Sequence, residues 1–124
     1  MIKEITGLHH ITSMASNADA NNVFFTKTLG LRRVKKTVNF DAPEVYHLYY
    51  GDEIGTPGSV MTYFPFAKMS PGQRGAGEVS ITEFAVPKDA LGFWKERLST
   101  LGVSSLIESS FLGEKRLSFD GPDG

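Results

Sequence analysis

The sequence predicts an α+β fold built from two copies of a strand, a helix and three strands, with the second copy lacking its last strand. Two observations carry this. The first is internal repetition: Gly7-Leu8-His9-His10-Ile11-Thr12 leading to Thr28-Leu29-Gly30-Leu31 is echoed by Gly77-Glu78-Val79-Ser80-Ile81-Thr82 leading to Thr100-Leu101-Gly102-Val103, at a spacing of about 70 residues. The second is the order of apolar runs and turn residues inside each copy. A chain of 124 residues has room for about one domain. We expect a single domain with repeat one at 1–66, a linker at 67–77 and repeat two at 78–124.

In repeat one, residues 8–14 are rich in Ile, Thr and His and fit a short strand, and Asn17-Ala18-Asp19 offers a helix cap. A helix is expected from about Ala20, with Phe24 as its core anchor and Gly30 ending it at positive φ. Residues 32–40, 46–50 and 59–64 read as three strands, separated by Asp41-Ala42-Pro43 and Gly55-Thr56-Pro57-Gly58. Repeat two repeats the order. A strand is expected over 78–82, and a helix after Pro87-Lys88-Asp89 carries Leu91, Trp94, Leu98 and Leu101 on one core-facing stripe. Residues 106–111 and 116–119 read as strands. The final Gly121-Pro122-Asp123-Gly124 aligns with the turn at Gly55, after which repeat one continues into Ser59–Phe64 and repeat two has no counterpart. A strand left without its neighbour favours association, so an oligomer is expected.

Composition narrows the function. With 13 basic and 14 acidic side chains and no run of either sign, nothing marks a nucleic-acid or anionic-membrane surface. No apolar stretch is long enough to span a bilayer, and MIKEITGLHH has no signal-peptide core, so a cytoplasmic protein is expected. The absence of cysteine removes disulfides, thiolate metal sites and a Cys nucleophile together, and agrees with a reducing compartment. Any metal would bind through histidine, carboxylate or water. There is no Ser-His-Asp pattern, no glycosidase-like acid pair and no dinucleotide fingerprint, and the glycines at 72, 75 and 77 lack the Lys-Ser/Thr of a phosphate loop.

Three segments, Gly7–Thr12, Tyr46-His47-Leu48-Tyr49-Tyr50 and Gly55–Pro65, resemble the hydroquinone-type ring-cleaving extradiol dioxygenases. These are a branch of the vicinal oxygen chelate superfamily, which also holds glyoxalases and bleomycin-resistance proteins. The resemblance covers nearly all of this chain but only the N-terminal half of such an enzyme. It implies a non-haem Fe(II) site, or one for another divalent metal, bound by two histidines and a carboxylate. His10 maps onto the first metal ligand, and His9 onto a neighbour that orients a phenolate or shuttles a proton. Because adjacent strand residues point to opposite faces, His10 is expected inward and His9 not.

The departures matter as much. Thr62 stands where a carboxylate ligand would be, Ser80 stands opposite His10 in repeat two, and the remaining ligands belong to a C-terminal half. Glu78 and Glu83 are the carboxylates nearest to repeat two's first strand, which a dimer could bring toward a partner's His10. His47, Tyr49 and Thr62 are the candidate substrate-binding residues; the plainer reading of His47 is a packed histidine, and of Tyr46, Tyr49, Tyr50 and Phe64 a core rather than an aromatic wall. The Arg32, Arg33, Lys35 and Lys36 side chains read as a charged strand edge.

The leading expectation is a ring-cleaving dioxygenase of hydroquinones or catechols that needs a second copy or a C-terminal half to complete its metal site. The alternatives are a non-enzymatic binder of small aromatic molecules of bleomycin-resistance type, a glyoxalase-type isomerase or lyase, and an inactive half-enzyme. A shared scaffold does not rank them.

Overall fold

The structure is a computed structural model that describes residues 4–124; the first three residues of repeat one lie outside it. The described residues form six strands and two helices, in two units, one up to residue 69 and the other spanning 70–124.

Unit one begins with strand β1 (His10–Ala15). Helix α1 (Ala18–Val23) follows, capped by Asn17, whose Oδ1 accepts from the backbone N–H groups of Asp19 and Ala20, both at 2.9 Å. The helix then widens into a π turn over Phe24–Thr28, with Leu29 N–H reaching Phe24 C=O at 3.0 Å. The buried face runs through Asn21, Phe25 and Thr28 at ordinary helical spacing. Phe25, not Phe24, is the buried one, and Phe24 packs beside it. Gly30, at φ 74, ends the element as the sequence predicts.

Strands β2 (Arg32–Val38), β3 (Tyr46–Gly51) and β4 (Val60–Pro65) complete a four-stranded sheet in the order β1-β4-β3-β2. β1 runs parallel to β4, and the other pairs are antiparallel. A bulge between Arg33 and Lys35 shifts the edge strand β2 by one residue. The pleat sorts the aromatic residues onto two faces. Leu48, Tyr50 and Tyr63 pack with Phe25 under the helix, where the Phe25 and Tyr50 rings stack at 5.0 Å. His47, Tyr49, Thr62 and Phe64 lie on the opposite face. The Tyr46–Tyr50 run is therefore neither all core nor all wall: Tyr50 is wholly buried and Tyr49 only partly so.

Unit two holds helix α2 (Leu91–Thr100) and the hairpin β5 (Ile107–Phe111) and β6 (Glu114–Ser118). The strand expected over 78–82 does not form, and residues 78–86 are exposed. The physical reason is pairing. Its counterpart in unit one, β1, hydrogen-bonds only to β4, and unit two has no strand equivalent to β4 among the described residues. The α2 stripe is also less buried than its spacing predicts, with Leu98 at 1% exposure but Leu101 at 51%.

Candidate functional site

The chemistry-bearing side chains of unit one gather on the sheet face away from α1. Register places them: Thr12 of β1 pairs with Thr62 of β4, and Thr62 pairs with Tyr49 of β3. His47 lies two residues before Tyr49 and therefore on the same face. A hydrogen-bonded chain crosses these three strands. Thr12 Oγ1 and Thr62 Oγ1 are 2.7 Å apart, Thr62 Oγ1 and His47 Nε2 3.0 Å, and His47 Nδ1 and Tyr49 Oη 2.9 Å. Thr62, at its centre, is 0% exposed.

The His47 ring lies between two aromatic neighbours, 4.2 Å from Tyr49 and 4.1 Å from Phe64 by ring centroids. Burial holds this imidazole below its ordinary pKa, and the charges of His10 and Lys35 push the same way. His47 is thus a neutral, packed imidazole with both nitrogens engaged. Lys35, opposite Tyr49 on β2, lies 5.3 Å from the centre of the Tyr49 ring, so one member of the charged strand edge belongs to this face. Lys36, one residue on, lies over Tyr46 on the other face, at 3.6 Å.

His9 and His10 meet each other. Their Nδ1 atoms are 3.0 Å apart and the rings are edge to face at 86°. The rule of alternating faces does not separate this pair because strand pairing begins at His10, leaving His9 outside the pleat. The turn after β3 fixes His9 instead: Gly58 N–H donates to His9 C=O at 2.7 Å. That turn is built by Asp52, whose Oδ1 accepts from the N–H groups of Ile54 at 3.2 Å and Thr56 at 2.9 Å, and by Gly55 at φ 72. The Thr56 hydroxyl, followed by the backbone N–H of Thr56, holds the Asp52 carboxyl down at about 2. Gly55-Thr56-Pro57-Gly58, read from sequence as punctuation, is therefore also the support of the histidine pair.

An Nδ1 to Nδ1 hydrogen bond needs one ring as donor and the other as acceptor. When His10 donates, its Nε2 carries a free lone pair suited to a cation. A carboxylate partner is lacking, however. The described residues contain no group of three His, Asp or Glu side chains able to hold a metal, and Thr62 is bonded to neutral partners. The two-histidine, one-carboxylate set does not fit these residues alone. Ser80 lies in the unpaired stretch of unit two; Glu83 is engaged by Arg116 at 2.7 Å, and Glu78 accepts from Gly75 N–H at 3.2 Å. A cleft of about 430 Å³ in unit two, between α2 and the hairpin, is lined by Lys95, Glu108, Lys115 and Arg116 among others. Lys95 pairs with Glu108 and Arg116 with Glu83, so its charges are largely answered within the unit.

No family model matches the chain. Sequence relatives do. MhqE of Bacillus subtilis, named as a ring-cleaving dioxygenase, is 50% identical over 114 residues, covering 92% of this chain and 37% of the relative. A chlorohydroquinone/hydroquinone 1,2-dioxygenase of Sphingobium indicum is 41% identical over 123 residues, 98% of this chain and 38% of that protein. A crystal structure described as a dioxygenase of Bacillus subtilis superimposes with a TM-score of 0.91 at 43% identity, over 98% of this chain and 39% of that one. A glyoxylase/bleomycin resistance protein/dioxygenase domain from Frankia superimposes at 0.76 with 14% identity, over 97% of this chain and 87% of that domain. This chain has the glyoxalase/bleomycin-resistance/dioxygenase fold. The dioxygenase resemblance read from the three motifs is the one its sequence relatives carry in their names. The chain spans 37% and 38% of the length of those two relatives. Within the same fold, FosX of Listeria monocytogenes superimposes at 0.70 with 17% identity over 97% of this chain and 87% of that one, in a structure holding Mn(II). No helix among the described residues is long and apolar enough to cross a membrane.

Proposed function

We propose that this chain is part of an Fe(II)-dependent extradiol-type dioxygenase that opens the ring of a hydroquinone or catechol. In this reading His10 is one metal ligand, and the other ligands come from a second copy of the chain or from a C-terminal half. Residues 1–66 and 78–124 are the two repeats of one glyoxalase-like domain, joined by 67–77. The observation that carries the reading is the His9–His10 pair, joined through Nδ1, beside an aromatic face. Bound iron would supply the charge that keeps a ring hydroxyl ionised and would bring dioxygen beside it. The chain's own residues would do the rest. His9 would hold His10 in the tautomer that leaves the His10 Nε2 free, and its own Nε2–H is left to donate to and orient a ring oxygen. The Tyr49, His47 and Phe64 rings form a floor against which a flat phenol lies, and Thr62 fixes the central imidazole of that floor.

A second reading has its own support. Because Thr62 stands where the carboxylate would be and no metal-holding group of three is present among the described residues, the isolated chain also suits a metal-free binder of planar aromatic compounds. One experiment separates the two: metal analysis of protein purified anaerobically with ferrous iron, beside a His10→Ala variant. About one iron per assembly, lost in the variant, supports the dioxygenase reading and leads to oxygen-uptake assays on hydroquinones. No iron in either protein, with a hydroquinone still bound, favours the binder.

A further inference from the structure

The hydrogen-bonded chain across the sheet has a property that ring binding does not use. Its ends reach outward and its middle does not: Thr12 is exposed, Tyr49 is partly exposed, and Thr62 between them is wholly buried. The chain accepts two arrangements of its protons. In the first, Thr12 donates to Thr62, Thr62 to His47 Nε2, and His47 Nδ1–H to Tyr49. In the second, Tyr49 donates to Nδ1, Nε2–H to Thr62, and Thr62 to Thr12. Each group has one proton to give and one lone pair to receive with in both arrangements.

We infer that Thr12, Thr62, His47 and Tyr49 form a one-proton relay that runs across three strands, from beside His10 to the Lys35 edge. The step balances atom by atom. An incoming proton bonds to Thr12 Oγ1 as the hydroxyl's own proton passes to Thr62 Oγ1. The Thr62 proton passes to Nε2, the Nδ1 proton passes to Tyr49 Oη, and the original Tyr49 proton leaves to water. One O–H or N–H bond forms for each that breaks, every member starts and ends neutral, and the imidazole changes tautomer. No group of the relay has to ionise. The packing of His47 between Tyr49 and Phe64 keeps the ring from turning, so each nitrogen keeps its own partner. Thr12 lies two residues from His10 on the same face of β1, which puts the relay's entrance next to the proposed ligand. The identity of the proton donor, a ring hydroxyl held at His10, rests on the proposed function; the two-way chain does not. In these terms Thr62, His47 and Tyr49, which the proposed function uses as the floor for the ring, also act as relay residues.

The test reads the tautomer of His47 in the ¹⁵N-labelled full chain, without metal, by long-range ¹H–¹⁵N correlation at neutral pH. Tyr49→Phe removes the partner of Nδ1 and is expected to put the ring proton on Nε2. Thr62→Val removes the partner of Nε2 and is expected to put it on Nδ1. Thr62→Ser keeps the hydroxyl and is expected to restore the parent pattern. Opposite tautomers in the first two variants support the relay; the same tautomer in both, or a doubly protonated ring in the parent, overturns it. Should Thr62→Val fail to fold, an Nδ1–H ring in Tyr49→Phe overturns it unaided. Failure of iron binding leaves this readout untouched, so the relay and the dioxygenase reading fail by different results.

Discussion

Thr62→Val isolates one hydroxyl at the centre of the candidate face. The substitution conserves volume, so little cavity is expected, and it deletes both hydrogen bonds of a side chain that is 0% exposed. Each bond contributes roughly 0.5–1.5 kcal/mol net, more where the abandoned partner stays buried. Thr12 is exposed and recovers water, so its loss lies at the low end. His47 is partly buried between two rings and lies nearer the high end. The added methyl group returns up to about 0.8 kcal/mol by burial. The net expected loss is about 1–2 kcal/mol. For a unit of 69 residues this lowers the melting temperature by roughly 4–8 °C per kcal/mol.

Two intrinsic probes make the assay local. All four tyrosines lie in unit one, and the single tryptophan, Trp94, lies in unit two. Urea unfolding followed by tyrosine signal should register the loss, with Trp94 reporting how far unit two follows. In a His47→Phe background the same substitution should cost about 1 kcal/mol less, because one of its two bonds is already gone. A tyrosine transition that does not move, or a double-mutant cycle that is additive, would show that the hydroxyl chain does not hold the face together.

Other substitutions test the remaining parts. The Tyr50 hydroxyl is buried without a hydrogen-bond partner, so Tyr50→Phe should leave stability unchanged or raise it by up to about 1 kcal/mol in denaturant unfolding. The same burial pushes the Tyr50 phenol up to about 12, and ultraviolet titration of the parent against Tyr50→Phe should show that one step. Because burial, His10 and Lys35 lower the His47 pKa, the folded chain takes up this proton less readily than the unfolded chain. The resulting stability is fully present above the ordinary value of 6.5 and declines as pH falls below it toward the folded pKa; His47→Gln should flatten that part of the profile. Asp52, held at about 2 against an ordinary 3.8, adds stability above 3.8 that is lost as pH falls toward 2. Its carboxyl carbon should titrate near that value by NMR, and Asp52→Asn should remove the dependence while keeping an acceptor for Ile54 and Thr56.

Local signals found most of the first unit. Asn17 before the helix, Gly30 after it and the Pro and Gly turns bounded every element to within a few residues, because caps and turns act over three or four positions. What escaped were consequences of partners distant in the chain. Neither the π turn nor the burial of Phe25 in place of Phe24 leaves a composition mark, since either phenylalanine fits the helix. The missing strand at 78–82 has the right residues but no neighbour to pair with among the described residues, and β structure depends on that neighbour more than on propensity. In the candidate site, His47, Tyr49 and Thr62 were legible singly as polar and aromatic residues on strands. Their linkage was not, because it depends on the register that sets Thr62 opposite both Thr12 and Tyr49. The period-two pleat from Tyr46 to Tyr50 was a usable signal, since alternation by itself sends Tyr49 and Tyr50 to opposite faces.

Register also explains why the face divides its roles as it does. His10 lies on β1, an edge of the sheet, whereas Thr62 and His47 lie on the two inner strands. A ligand on an edge strand can be approached by another polypeptide without disturbing the ladder; a residue on an inner strand cannot move without breaking two. Completing a metal site by turning Thr62 into a carboxylate would place a charge at a fully buried position and remove the hydroxyl that bridges Thr12 and His47. On the proposed reading the division is therefore physical: the edge offers a histidine to ligands supplied from elsewhere, while the inner strands keep a neutral, fully bonded floor that positions a ring and carries its proton away.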